Sequence, residues 1–444
     1  MSLTITNPVN QKKRKISILG GGPAGLAVAH YAKKSSLSFD LYEASEETGG
    51  NCRTITNGDF RFDTGAHRLH GKDPNVVNEI KELLGDELRE IHKPSYIYHK
   101  GRFVHFPLTP FSLLANLRIN EVIRGVYHFL KSKLNSKEVN NFRDYAYQKY
   151  GKTVADLFLT NYTEKLWGLP TERLSTSISG SRLKDLNLRS LILETIFPKM
   201  KAKHLEGAFY YPKYGFGQIA QTLSAYIGQE NIHLKNRVTR IYHKNQRITG
   251  IEVNHNKILE TDLTVSSLPL PILVNALDPG PPQEIIELIN LFRFRSLTLF
   301  VFFLNKEQIN SAATIYFPDS KYPFTRGYEP KNRSDMMTPV GKSSFVVEVP
   351  HQPKELNVKI EQITSILIDE GFFRQDEIIE TATHHIPYAY PVLEVGVSNQ
   401  IDRIMEYLDQ FENLKITGRS GLFEYSWTHQ MMSYGKEIVN NFQQ

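Results

Sequence analysis

Apolar positions fall into distinct regimes along this chain. Near the N-terminus a short apolar run, Ile16 to Leu19, leads into closely spaced glycines and a small-residue helical stretch, Pro23 to Lys34. A second apolar run follows, Phe39 to Tyr42. This order of strand, turn, helix and strand predicts a βαβ opening. From Pro74 to about Tyr150 the apolar residues recur at helical spacing, as in "VVNEIKELLGDELREI" and "FRDYAYQKY", with "IYHKGRFVHFPLTP" reading as a hairpin and loop between them. Further on, "RVTRIYHKNQRITGIEVNHNKILETDLTVSSLP" alternates apolar and polar residues around turn signals and predicts a β-meander ending in a buried strand. "RFRSLTLFVFFLN" and "SSFVVEVP" are rich in β-branched and aromatic residues and predict strands of a second sheet. The final stretch, "LKITGRSGLFEYSWTHQMMSYGKEIVNNF", returns to strand, glycine turn and helix.

Length and composition narrow the class. The 444 residues suit two or three domains with a sizeable core, and 40% hydrophobic with 23% charged residues is the profile of a folded globular protein. The net charge of +6 comes from scattered basic residues with no nucleic-acid motif, so an anionic small ligand accounts for it as well as a nucleic acid would. The one dense cluster, Lys12 to Lys15, reads as a solvated lead-in to the first strand. A single cysteine, Cys52, excludes an intrachain disulfide, and a cytoplasmic setting is expected. No apolar segment approaches the roughly 20 residues of a membrane span. "LRSLILETIFPKMKAKH" joins an apolar run to a basic end; an ordinary helix is expected there, with an interfacial helix as the alternative.

The chemistry begins at the first turn. Gly20, Gly22 and Gly25 form G-x-G-x-x-G between strand and helix: Gly20 permits the turn, Gly22 lets backbone approach a pyrophosphate, and Gly25 lets helix and strand pack closely. Glu43 ends the second strand 18 residues after Gly25, where an acid can accept hydrogen bonds from ribose hydroxyls. Together these predict dinucleotide binding. Isolated histidines such as His384, His385 and His429 show no metal-ligand spacing, and no Ser/His/Asp constellation suggests a hydrolase.

The residues after Glu43 choose the dinucleotide. "EASEETGGNCRT" places Gly49 and Gly50 just beyond the acid, followed by Arg53 and "FRFDTGAHRL". This arrangement resembles the FAD fingerprint of the superfamily of flavin amine oxidases, protoporphyrinogen oxidases and UDP-galactopyranose mutases. "NRVTRI" with "LTVSSLP", and "ITGRSGLFEYSWTHQMMSYG", are similar to that superfamily's adenine-side and C-terminal flavin-binding strands, so the resemblance spans nearly the whole chain. It implies an α/β fold: a Rossmann-like FAD-binding domain from discontinuous segments (residues 1–75, 212–270 and 386–444), a mostly helical insertion (76–211) and a mixed α/β substrate domain (271–385). It also implies FAD contacts at Gly20, Gly22, Pro23, Ala24, Gly25, Glu43, Ala44, Gly50, Asn51, Arg53, Gly65, His67, Val238, Gly418, Arg419 and Tyr425. His429 stands where many relatives carry an acid.

Within the superfamily the chain is most similar to the mutases and to mutase-like FAD-dependent oxidoreductases. "GGN", "GAHRLH", "NYTEKLWGLP", "FRFRSL" and "GRSGLFEY" carry that similarity. It implies His67, over the flavin, and Arg295 as catalytic residues. Tyr162, Trp167 and Tyr425 would line a substrate pocket, and Arg295, with Arg182, would hold a substrate diphosphate. Arg295 also sits inside an apolar strand, where a guanidinium needs a partner. "FYYPKYGFGQIAQTL" departs from the mutase pattern, so Tyr210 and Tyr211 are not carried over as substrate contacts. The implied activity is FAD-dependent oxidation of a small substrate by hydride transfer to flavin N5. The alternative is mutase-like isomerisation of a nucleotide sugar through reduced flavin, with NAD(P)H a candidate reductant; peripheral membrane contact stays open.

Overall fold

The computed structural model describes residues 14–108, 116–134, 138–179 and 208–443. Strands β1 (Lys15–Leu19) and β2 (Ser38–Tyr42) pair in parallel, joined by helix α1 (Pro23–Lys34). They sit in a five-stranded parallel sheet in the order Leu414–Ile416, Leu263–Ser266, β1, β2, Ile232–His233. Its strands thus come from the beginning, middle and end of the chain. Helix α1 is buried from Ala24 to Ala32 because the sheet covers one side and helix Thr428–Gln443 another. That helix comes so close that a Cβ on Gly435 would lie 2.9 Å from Ala27. Burial on both faces leaves Ile16, Ile18 and Leu19 inaccessible and takes the small Ser17 between them inside as well.

The β-meander is present as Val238–Lys244, Arg247–Val253 and Lys257–Glu260. A seven-stranded sheet forms the other half of the molecule, in the order Ile378–Pro391, Phe294–Leu304, Ser343–His351, Arg326–Tyr328, Thr314–Tyr316, Ser95–His99, Arg102–Phe106. The last two strands are the hairpin expected within the helical stretch. They do not stay there: Ser95–His99 pairs in parallel with Thr314–Tyr316 and extends the distant sheet. The reason is burial, since Ile97, Val104, Val154 and Phe158 close a small apolar cluster between hairpin and helices. The strand Ile378–Pro391 also runs through residue 385, so no break in the chain marks a domain edge at that point. Helices Ile119–Leu134, Phe142–Tyr150 and Asn161–Trp167 lie beside the hairpin. A π-helical turn, Asp156–Thr160, leads into the third.

Candidate functional site

A cavity of about 620 Å³ runs from the turn after β1 to the helices beside the second sheet. At its first end the wall is main chain. Gly20 has φ +98°, and its N–H donates to the Tyr42 carbonyl at 2.9 Å, which folds the turn back toward β2. A Cβ on Gly25 would lie 1.9 Å from the Gly20 carbonyl oxygen, so only glycine lets α1 start there. Gly22 caps α1 without a side-chain hydrogen bond, leaving the first N–H groups of the helix directed at the cavity. Gly50, with φ +52°, comes from the next loop, and a Cβ there would lie 3.0 Å from the Gly22 Cα. Glu43 lines the same end. Its Oε2 accepts the Gly21 N–H at 2.7 Å, and its Oε1 accepts the Ser45 N–H at 2.8 Å and hydroxyl at 2.7 Å, which fixes the carboxylate beside the glycine floor. Ala44 and Val238 complete the wall beyond it, and Gly418 approaches the start of α1, where a Cβ would meet that of Ala24 at 2.8 Å.

His67 stands midway. Its ring stacks on Phe216 with centroids 5.1 Å apart, and its Nε2 is buried without a protein partner. Burial, reinforced by the guanidiniums of Arg326, Arg419 and Arg333, pushes its pKa down to about 3 and keeps the imidazole neutral. An open helix N-terminus, a floor that side chains would fill and an orphaned ring nitrogen are what a bound flavin dinucleotide would complete. The residues present therefore fit FAD.

The far end is built of side chains. Trp167 meets Tyr390 and Tyr425 edge-on, at 5.9 and 6.1 Å. Arg419 lies 4.8 Å over the Tyr425 ring and donates from Nε and Nη2 to the Ser426 carbonyl, at 3.1 and 2.7 Å. Arg326 is paired through Nε with buried Glu348, directly across the strand pair, and donates to the Tyr390 hydroxyl at 2.8 Å. The other oxygen of Glu348 accepts the Ala66 N–H at 2.9 Å, which ties this pair to the segment carrying His67. Arg68 donates to Ser95 and Thr314 hydroxyls, each at 2.8 Å. Ile97, Phe106, Leu108, Phe158, Leu159 and Leu166 give the chamber an apolar lining, with Thr163 and Tyr316 set among them.

The sequence profile described as "Flavin containing amine oxidoreductase" matches residues 23–356, three quarters of the chain. The chain belongs to this family. Among solved structures, reduced UDP-galactopyranose mutase superposes with a TM-score of 0.84 at 19% identity, over 97% of this chain and 94% of that one. Putrescine oxidase bound to putrescine gives 0.67 at 13% identity, over 97% and 98%. The mitochondrial protoporphyrinogen oxidase of Nicotiana tabacum is 23% identical over 203 residues, which are 43% of this chain and 40% of that protein. The matches to curated relatives cover between 21% and 56% of those proteins' lengths.

In this member of the flavin amine oxidoreductase family most of the expected site residues meet at one cavity. Gly20, Gly22, Pro23, Ala24, Glu43, Ala44, Gly50, Asn51, His67, Val238, Gly418, Arg419 and Tyr425 line it, as do Tyr162 and Trp167. Gly25 and Gly65 stand behind the wall and shape it. Arg53 turns away to an ion pair with Glu47 at 2.8 Å. Arg182 lies outside the described residues, as does the segment "LRSLILETIFPKMKAKH".

Arg295 requires a correction. It does not line the cavity: its Nε donates to the Leu166 carbonyl and its Nη2 to that of Lys165, both at 3.2 Å. The guanidinium in the apolar strand has its partner, the open C-terminus of helix Asn161–Trp167. Lys165 anchors the same helix by donating to the carbonyls of Phe317, Asp319, Tyr322 and Phe324, at 2.5 to 3.1 Å. Arg295 thus braces the helix that carries Tyr162 and Trp167, both of which line the cavity, and does not itself reach it. Sequence reasoning missed Arg326, Glu348, Arg68 and Tyr390. The signal for Glu348 was an acid inside the apolar strand "SSFVVEVP", the pattern that drew attention to Arg295.

Proposed function

We propose that this enzyme oxidises an apolar small molecule, held by the far chamber beside His67. When bound, FAD supplies a two-electron acceptor that takes hydride at N5. The protein's own part is to bind, orient and exclude water. The helix N-terminus and glycine floor hold the dinucleotide, Trp167, Tyr390 and Tyr425 form a rigid aromatic wall, and neutral His67 offers its ring nitrogens without adding charge. One observation carries the choice of substrate class: much of the far wall is apolar, and of the three guanidiniums at the cavity Arg326 is neutralised by Glu348, while Arg68 and Arg419 are held by hydroxyls and a backbone carbonyl. A cation bound to its own carboxylate is a poor host for a second anion.

The second reading is mutase-like isomerisation of a nucleotide sugar by reduced enzyme, which would need a reductant such as NAD(P)H. It is supported by the fold likeness and by Tyr162, Trp167, Arg419 and Tyr425 at the cavity. It loses Arg295 as a diphosphate ligand. The test is anaerobic titration of the yellow protein with a panel of polyenes, porphyrinogens, amines and UDP-galactopyranose. Bleaching of the flavin by an apolar donor is expected. Interconversion of UDP-galactopyranose and its furanose form by dithionite-reduced enzyme would overturn the redox reading.

A further inference from the structure

The helix Ile119–Leu134 is placed the wrong way round for a surface helix. Ile119, Ile123, Val126, Tyr127, Leu130 and Leu134 are each between 55% and 84% exposed. With 3.6 residues per turn they fall within one arc of about 100° along the whole helix. The opposite face does the packing. Gly125 is buried against Val154, His128 Nδ1 is bonded to the Thr153 hydroxyl at 2.6 Å, and the Ser132 hydroxyl donates to the Phe129 carbonyl at 2.7 Å and the Gln148 carbonyl at 3.3 Å. The protein thus grips this helix by its small and polar face and turns the apolar face to solvent.

Charge says what covers that face. Arg124 and Lys131 border the arc on one side and Lys133 on the other, with Arg118 at the helix start, all exposed. Glu121, the helix's one acid, is already matched by Lys100 at 2.9 Å and by the Arg118 N–H at 3.0 Å. Two copies joined through this stripe would set these cations against each other. An anionic lipid surface would accept the apolar arc and pair with both basic borders. We propose that helix Ile119–Leu134 is an interfacial helix that seats the enzyme on an anionic bilayer, its axis in the membrane plane. The seat adjoins the active cavity. Leu117, at the start of the helix, packs in the same cluster as Leu108 and Phe158, which line the apolar end.

The docking does not depend on the substrate reading, and it is tested without turnover. Full-length FAD-loaded protein is sedimented with vesicles of phosphatidylglycerol and phosphatidylcholine, or of phosphatidylcholine alone. Binding to the anionic vesicles that weakens with salt is expected. The triple substitution Ile123→Ser, Val126→Ser, Leu130→Ser should lower that binding at least about tenfold, with flavin absorbance and melting temperature unchanged because these side chains are exposed. As an independent readout, Tyr127→Trp should shift its emission to shorter wavelength when anionic vesicles are added. Wild-type protein that stays in the supernatant would overturn the proposal, as would a triple variant that binds equally well. A wild-type dimer that the triple variant turns into a monomer, with no vesicle binding by either, would assign the stripe to self-association instead.

Discussion

At the dinucleotide end of the cavity the wall is main chain from a short stretch of sequence: Gly20, Gly22, Gly50 and the first N–H groups of α1. At the far end it is side chain, with Trp167, Arg326, Tyr390 and Tyr425 drawn from segments up to 258 residues apart. The first end offers what a diphosphate and a ribose would need, helix N–H groups and the Glu43 carboxylate, and owes its shape to the absence of Cβ atoms. The second depends on where each side chain is held, so its specificity rests on residues outside the cavity, such as Glu348 behind Arg326 and Arg295 behind Trp167. One end can be filled but hardly retuned; the other can be retuned by moving its supports.

Substitutions can separate the two ends. The largest effect belongs to Gly25→Ala, which puts a methyl 1.9 Å from a backbone carbonyl that cannot retreat without opening the turn. It should destabilise the protein by about 5 kcal/mol or more and yield protein without flavin, as read by thermal melting and absorbance. Gly22→Ala makes the opposite case. Its methyl would find nothing nearer than 3.9 Å, so the fold should survive while flavin affinity falls. A normal melting temperature for Gly25→Ala would break the comparison at its first end.

At the far end, Glu348→Leu leaves buried Arg326 without its counter-charge and should cost about 3 to 5 kcal/mol in urea unfolding. Adding Arg326→Met should restore most of that loss, and both variants should still bind FAD. Loss of flavin from either would mean the two ends are not separable.

The most gradual effect, spread over several pH units, is the pH dependence of His67. Above pH 6.5 the imidazole is neutral in folded and unfolded chains alike. Between about 6.5 and 3 the unfolded chain takes up a proton that the folded one refuses. Stability should therefore fall as pH falls through that window, by up to about 1.4 kcal/mol per pH unit from this group. His67→Phe, which keeps the stack on Phe216, should remove that part of the slope. An unchanged slope would mean that His67 is not held neutral.

The βαβ opening, the glycine turn and the acid at Glu43 are legible in the sequence because each depends on neighbours within a few tens of residues. Hydrophobic period and glycine spacing carry that information directly. The strands Phe294–Leu304 and Ser343–His351 are equally plain, since continuous apolar runs rich in β-branched and aromatic residues have few other uses. The hairpin at 95–106 is visible as a hairpin, but its place in a sheet with strands from residues 294–391 is not, because local alternation says nothing about the partner strand. Arg295 shows the same limit from the other side. A charge in an apolar strand says that a partner exists, and only the fold shows that the partner is a helix end and not a ligand.

By itself, then, the sequence determined the βαβ opening with its glycine turn and the family to which the chain belongs, because glycine spacing and backbone freedom over some thirty residues carry them directly. Tertiary structure decided which arginine faces the chamber, how Glu348 ties Arg326 to the His67 segment, and which face of helix Ile119–Leu134 meets solvent. Those outcomes depend on distances between residues far apart in the chain, and no local pattern encodes them.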